Sequence, residues 1–277
     1  MLKRPICVVF DADDTLWMNG WQYDEANVEF FRYLFQIFRQ RTPNLHYIYR
    51  RFFEIDGELF KTWGIKRGRV TESMIRTYRE ICQWVGWRFG VYFSDKETGQ
   101  HNQEIRGIGD LPFDYTRLQW QPEAPWLLKK LNQMGCQLCL LTSYDAAVFP
   151  KRAEFMNIDS GQLFRPENIK VVEKKKTKED FIEVSGWRPE NARTLHIAVG
   201  NAESDILPAL EIGENWWGIH IPHSTTSVYA YQPERNPDLP EPMSHFMPRK
   251  LIHPQVKNVY LLRNFFNAFN EIVMTAR

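Results

Sequence analysis

Asp11 and Asp13 carry the most chemical information in this chain. They close the run Ile-Cys-Val-Val-Phe-Asp-Ala-Asp-Asp-Thr-Leu-Trp, residues 6–17, in which an apolar stretch from Ile6 to Phe10 stops abruptly at acids. Carboxylates at the end of a buried strand are costly unless something neutralises them. A hard cation does so economically, and Mg²⁺ needs few protein ligands when a phosphate supplies the rest. The chemistry this pattern suits is phosphoryl transfer.

The elements that position these acids can be read from the rest of the chain. Five apolar runs read as strands: 6–10, 137–141, 169–172, 195–199 and 217–221. They are rich in Val, Ile and Leu without alternation, the pattern of strands covered on both faces of a parallel sheet. Helical patterns lie between them. One starts at Ala124-Pro125 and stops at Gly135; another follows Asp205 and stops at Gly213. Alternating strands and helices predict a doubly wound α/β fold.

Residues 18–118 interrupt the alternation with helix-spaced apolar positions: Phe30, Phe31, Leu34 and Phe38, then Met74, Tyr78 and Ile81. About a hundred residues suffice for a helical subdomain. Residues 1–17 and 119–277 are expected to form the α/β core, and 18–118 a helical cap over the acidic strand end. The proline-rich stretch 222–255 reads as irregular wrapping, and 256–274 as a closing amphipathic helix.

Each strand is followed by residues of a different chemical type. Asp11 and Asp13 follow the first, Thr142 and Ser143 the second, Lys174, Lys175 and Lys176 the third, and Asn201 and Asp205 the fourth. In an open parallel sheet the carboxyl ends share one edge, where ligands bind. This set, in this order over residues 6–213, resembles the haloacid dehalogenase-like superfamily, and Phe-Asp-Ala-Asp-Asp-Thr-Leu-Trp looks most like its phosphatase branch with a helical cap after the first motif.

The resemblance implies a Mg²⁺-dependent phosphatase acting on a small phosphorylated metabolite. Asp11 would attack phosphorus and form an aspartyl-phosphate. Asp13 would act as general acid and then general base. Thr142 and the Ser143 amide would hold the phosphoryl oxygens, and Lys176, with Lys175 second in order, would offset their charge. Asp11, the Asp13 carbonyl, Asp205 and Asn201 would hold the metal. The family often has Asp where Asn201 stands, so more weight falls on Asp205. A dehalogenase, one alternative, would use the same nucleophile without the second Asp or a metal; a non-catalytic binding module on the same fold is the other, and the competent residues at all four motif positions argue against it.

The other candidates have plainer readings. Asp14, where the motif commonly has glycine, reads as a turn or cap residue. Asp145 reads as a helix cap, Glu203 as an exposed loop acid or a supporting residue, and Lys66-Arg67-Gly68-Arg69 as a solvated turn or an anion grip. Trp216 and Trp217 read as packing residues, His220 and His223 as structural residues ahead of a ligand role, and Trp17 as a pocket wall or hinge seal.

Composition excludes several classes. With 35 basic and 34 acidic residues, the chain lacks the positive field of a nucleic-acid or membrane-surface protein. A hydrophobic content of 43% argues against overall disorder, and no apolar run reaches the length of a membrane span. The N-terminus lacks the features of a signal peptide. Cys136 and Cys139 lie inside Cys-Gln-Leu-Cys-Leu-Leu, which reads as a strand, where residues three apart face opposite sides, so neither a disulfide nor a zinc site is expected. A reducing, cytoplasmic compartment is expected.

Overall fold

The computed structural model describes residues 4–158, 161–191, 193–221, 250–259 and 262–276. In chain order the elements are β1 (Ile6–Phe10), β2 (Trp17–Met18), α1 (Gly20–Phe38), α2 (Leu45–Trp63), α3 (Arg67–Phe89), α4 (Asp95–Asp110), β3 (Gln119–Trp120), α5 (Ala124–Gln133), β4 (Gln137–Ser143), α6 (Phe149–Phe155), β5 (Ile169–Val172), α7 (Lys178–Ser185), β6 (Leu195–Gly200), α8 (Leu207–Leu210), β7 (Trp216–His220), β8 (Val256–Asn258) and α9 (Phe265–Thr275). They fall into two compact units. Among the described residues, one contains the segments up to Gly20 and from Tyr115 onward, and the other runs from Trp21 to Asp114.

The first unit is built on a six-stranded sheet of order β5-β4-β1-β6-β7-β8, parallel throughout. β1 lies between β4 and β6, with Phe10 opposite Leu140 on one side and Val199 on the other. The chain builds β4 and β5 on one flank, then returns to build β6, β7 and β8 on the other. The acids after β1 therefore stand where the strand order reverses, the crevice in which open α/β sheets bind ligands. Every residue of β1 and β6 is buried, including His196 within the otherwise apolar β6, whereas the edge strand β5 is only half-buried.

Two expectations are corrected here. A sixth strand, β8, occupies the start of the stretch read as a closing helix, which itself begins only at Phe265. Three residues, two of them polar, carry too little pattern to be recognised as a strand; β8 is defined by pairing Val256 against Gly218. The helix expected after Asp205 shrinks to the single turn of α8, preceded by a 3-10 turn over Glu203–Asp205. Most of the stretch 222–255, including His223, lies outside the described residues.

All four cysteines are free thiols. Cys139 lies within β4, its Sγ 3.7 Å from that of Cys7, while Cys136 precedes the strand.

The second unit is helical, formed by α2, α3, α4 and α1 beyond its first residue. Phe30, Leu34, Phe38, Ile48, Phe52, Met74, Tyr78 and Ile81 form its core. Each such side chain contributes about 1.5–3 kcal/mol on full burial. The Asn44 side chain caps α2 by accepting from Tyr47 N, and Ser94 and Glu97 form a reciprocal capping box at α4. Arg67 pairs with Asp110 at 3.0 Å and Arg69 with Asp56, so two cations of the 66–69 stretch are bound to acids of this unit. Among the described residues no helix is long and apolar enough to cross a membrane.

Candidate active site

The ladder between β1 and β6 continues one step past the strand, with Asp11 N donating to Val199 O at 2.8 Å, and the chain then turns sharply. The carbonyl of Ala12 accepts from the amides of Thr15, Leu16 and Trp17. Asp14 takes a left-handed conformation, φ 59°, which explains why glycine suits this slot and why a short polar residue can replace it. Its Oδ1 accepts from Asn19 N at 3.0 Å and Gly20 N at 2.8 Å, at the start of α1. Asp14 is a turn and cap residue.

Lys176 is the buried member of the lysine run; Lys174 and Lys175 are exposed. Thr177 caps α7 through a box with Asp180 and fixes the lysine one residue before it. Lys176 Nζ donates to Asp11 Oδ1 at 2.5 Å and to Asp205 Oδ1 at 2.7 Å. Burial opposes its charge, but the two carboxylates outweigh burial and hold the ammonium above its ordinary value. Burial, with Asp205 and Asp13 adding to it, pushes Asp11 above the usual carboxylate range against the pull of Lys176. Two carboxylates share one ammonium.

The loop after β6 brings Asp205 back over the strand end. A Cβ on Gly200 would lie within 2.7 Å of Asp205 Cγ, so only glycine fits at this position. The second oxygen of Asp205 accepts from Ala202 N at 2.8 Å. The Thr15 hydroxyl lies 3.0 Å from Asp11 Oδ2 and 3.3 Å from Asn201 Oδ1 and has one proton for both. Under this loop the buried His220 places Nε2 3.2 Å from the Asn201 carbonyl and Nδ1 3.0 Å from Asn258 Oδ1, a structural role. Trp216 is fully buried and stacks on His196, while Trp217 is half-buried. Glu203 opens the 3-10 turn that leads to Asp205.

At the end of β4 the Thr142 hydroxyl is buried and has no hydrogen-bond partner among the described residues. A buried hydroxyl without a partner costs about 1–3 kcal/mol, which a bound ligand oxygen would relieve. Tyr144 N donates to Val172 O on the β5 side. Successive amides of a strand alternate in direction, so Ser143 N faces the β1 side, beyond the last paired residue of β1. The Ser143 hydroxyl donates to Lys174 O at 3.1 Å, tying this loop to the lysine segment. Asp145 accepts from Ala147 N and shapes the turn before α6, three residues ahead of that helix's Val148 cap, so it is a turn residue and not the cap expected.

Asp13 is held by Trp17, whose donor role its reading as a pocket wall or hinge seal did not include, and by two residues that sequence reasoning missed, Arg152 and Asn19. Arg152 Nη1 donates to Asp13 Oδ1 at 2.6 Å, Trp17 Nε1 to the same oxygen at 2.5 Å, and Asn19 Nδ2 to Oδ2 at 3.0 Å. Arg152 is fully buried, as is Trp17, which otherwise packs edge-on against Trp120. In the sequence Arg152 is one of two adjacent cations on a short helix, and nothing there marks it as buried.

The expected ligands, Asp11, Asp205, the Asn201 amide and the Asp13 carbonyl, would offer oxygen donors of the kind a hard cation takes. Among the described residues no group of three or more His, Cys, Asp or Glu side chains has metal-binding geometry. The expected set has only two such carboxylates at its centre, which is enough for Mg²⁺ when a phosphate completes the shell.

The six-stranded parallel sheet and its flanking helices form a Rossmann-like α/β fold that matches solved haloacid dehalogenase-like hydrolases. A haloacid dehalogenase-like family hydrolase from Xanthomonas campestris is similar over 99% of this chain and 94% of its own, with a TM-score of 0.67 and 19% identity. L-2-haloacid dehalogenase from Xanthobacter autotrophicus matches over 96% and 98%, with a TM-score of 0.53 and 16% identity. The Bacillus subtilis protein YfnB, assigned as a HAD-hydrolase and solved with bound magnesium, matches over 97% and 100%, with a TM-score of 0.50 and 19% identity. No protein-family model matches the sequence, and the search of curated proteins found no match.

Proposed function

We propose that this protein is a Mg²⁺-dependent phosphatase that hydrolyses a small phosphomonoester through an aspartyl-phosphate on Asp11. The observation that carries this reading is Asp13, a second carboxylate two residues beyond the nucleophile and held by three donors. Displacing halide from carbon needs no general acid. Expelling an alkoxide from phosphorus does, and the same group then activates water.

The remaining roles follow from charge. Lys176 keeps the Asp11 carboxylate compatible with an incoming phosphate, and the Thr142 hydroxyl and Ser143 amide are suited to donate to its oxygens. Asp11 attacks phosphorus while Asp13 protonates the leaving oxygen; water then attacks the phosphoryl group, giving its proton to Asp13 and releasing phosphate and free Asp11. Asp11, Asp205, Asn201 and the Asp13 carbonyl would hold Mg²⁺, which supplies charge neutralisation to the transferring group. In this reading the helical unit, Trp21–Asp114, serves as the cap that selects the ester, and the four free thiols suit a reducing, cytoplasmic compartment.

The test is phosphate release from a phosphometabolite panel by purified protein with Mg²⁺ or with chelator, beside halide release from a 2-haloacid. The fold likeness to a haloacid dehalogenase makes the second arm necessary. Metal-dependent phosphate release, abolished by Asp11→Asn, is the expected result. Metal-independent halide release would replace this reading with dehalogenation, and neither activity would favour a binding module.

A further inference from the structure

The donors around Asp13 form a closed ring. Arg152 Nη1 donates to Asp13 Oδ1, Arg152 Nη2 to Asn19 Oδ1 at 2.9 Å, and Asn19 Nδ2 to Asp13 Oδ2. Arg152 thus fixes the amide orientation of Asn19, and the two together fix the carboxylate plane. The guanidinium lies 3.9 Å over the ring of Tyr144, two residues past Thr142, which anchors it to the loop after β4.

The ring leaves Asp13 asymmetric. A carboxylate has about four acceptor positions, two on each oxygen. Oδ1 already accepts from Arg152 and Trp17, whereas Oδ2 accepts only from Asn19 among the described residues. One position on Oδ2 remains for a substrate or water.

A fully buried arginine paired with a carboxylate is weak support for a fold, since apolar residues of similar volume often serve as well. The geometry is what apolar residues would not reproduce. We propose that Arg152 and Asn19 are positioning residues for proton transfer, and that they dedicate Asp13 Oδ2 as the atom that gives a proton to the leaving oxygen and takes one from the hydrolytic water. This rests on the phosphatase reading and adds two residues and a named atom to it.

The experiment compares kcat/KM for 2,4-dinitrophenyl phosphate, whose leaving group departs unaided, with that for phenyl phosphate, whose leaving group needs a proton. The wild type, Asn19→Ala, Arg152→Lys and Asp13→Asn are measured with Mg²⁺, each folded by circular dichroism. Arg152→Lys keeps the charge but loses the fork, and Asn19→Ala keeps the ion pair but opens the ring. Both variants should lose at least about tenfold more on phenyl phosphate than on the dinitrophenyl ester, within the about 10²–10⁴ that general acid–base catalysis supplies. Adding Asn19→Ala to Asp13→Asn should change neither rate further.

An equal loss on both esters in Asn19→Ala, or a loss fully additive with Asp13→Asn, would overturn the proposal while leaving the phosphatase intact. Should Arg152→Lys not fold, Asn19→Ala alone decides. A wild type that hydrolyses neither ester would overturn the phosphatase reading and this proposal with it.

Discussion

Lys176 Nζ lies 2.5 Å from Asp11 Oδ1, although 165 residues separate them in the chain. Both side chains are buried, and the same ammonium reaches Asp205 at 2.7 Å. The lysine therefore joins the ends of β1, β5 and β6, and its removal would leave two carboxylates facing each other out of water.

Lys176→Met should accordingly destabilise the protein by about 3–5 kcal/mol near neutral pH, the usual cost of stripping the partner from a buried charge. Acid should restore part of the loss, because protonated carboxyls no longer need the ammonium. Urea denaturation at about pH 7.5 and about pH 5 checks both points. Equal stability of variant and wild type at the higher pH would contradict the shared neutralisation.

Gly200→Ala places a methyl against the Asp205 side chain, 2.7 Å from its Cγ. The loop carrying Asp205 must move, and a displacement of about 1 Å at a positioned group costs on the order of 10²-fold in turnover. Steady-state kinetics on an ester that the wild type hydrolyses should show that loss. Unchanged turnover would mean that Asp205 does not need this position.

His196 gives the fold an acid-side weakness unconnected with the site. It stacks on Trp216 at 4.6 Å between ring centroids, and burial pushes its pKa down to about 4. The unfolded chain takes up this proton near pH 6.5, whereas the folded chain refuses it until about pH 4. The stabilisation is full above pH 6.5, is lost as pH falls toward 4, and changes no further below that. The loss amounts to about 2 kcal/mol by pH 5. His196→Gln should flatten that part of the stability profile in urea titrations; a profile as steep as the wild type's would assign the acid sensitivity elsewhere.

The sheet and the carboxylate–lysine cluster were legible because each rests on residues next to one another in sequence. An apolar run followed by Asp11 and Asp13, or by Lys176, carries its own position at a strand end, and parallel topology gathers those ends. Arg152 and Asn19 were not legible. Neither lies in a motif, and their roles arise from contacts with Asp13 that cross 139 and six residues of chain. β8 was missed for a related reason: its three residues have no periodicity, and only pairing with β7 makes them a strand.

In the helical unit, Gly109→Ala should lower the melting temperature, because the new Cβ would lie 2.8 Å from Thr71 Cα, in backbone that cannot yield as a side-chain tip does. Overpacking of this kind costs about 1–3 kcal/mol. Thermal unfolding followed by circular dichroism measures it. An unchanged melting temperature would show that α3 and α4 have room to separate.

The most direct test of Asp11 as a phosphoryl acceptor is to quench the protein during turnover of an ester that it hydrolyses, reduce it with borohydride and analyse the peptide containing Asp11 by mass spectrometry. Borohydride reduces an acyl phosphate to the alcohol and leaves a free carboxylate untouched; homoserine at position 11, absent without substrate and absent in Asp11→Asn, is predicted. Phosphate release with Asp11 unmodified throughout turnover, or no phosphate release at all, would contradict it.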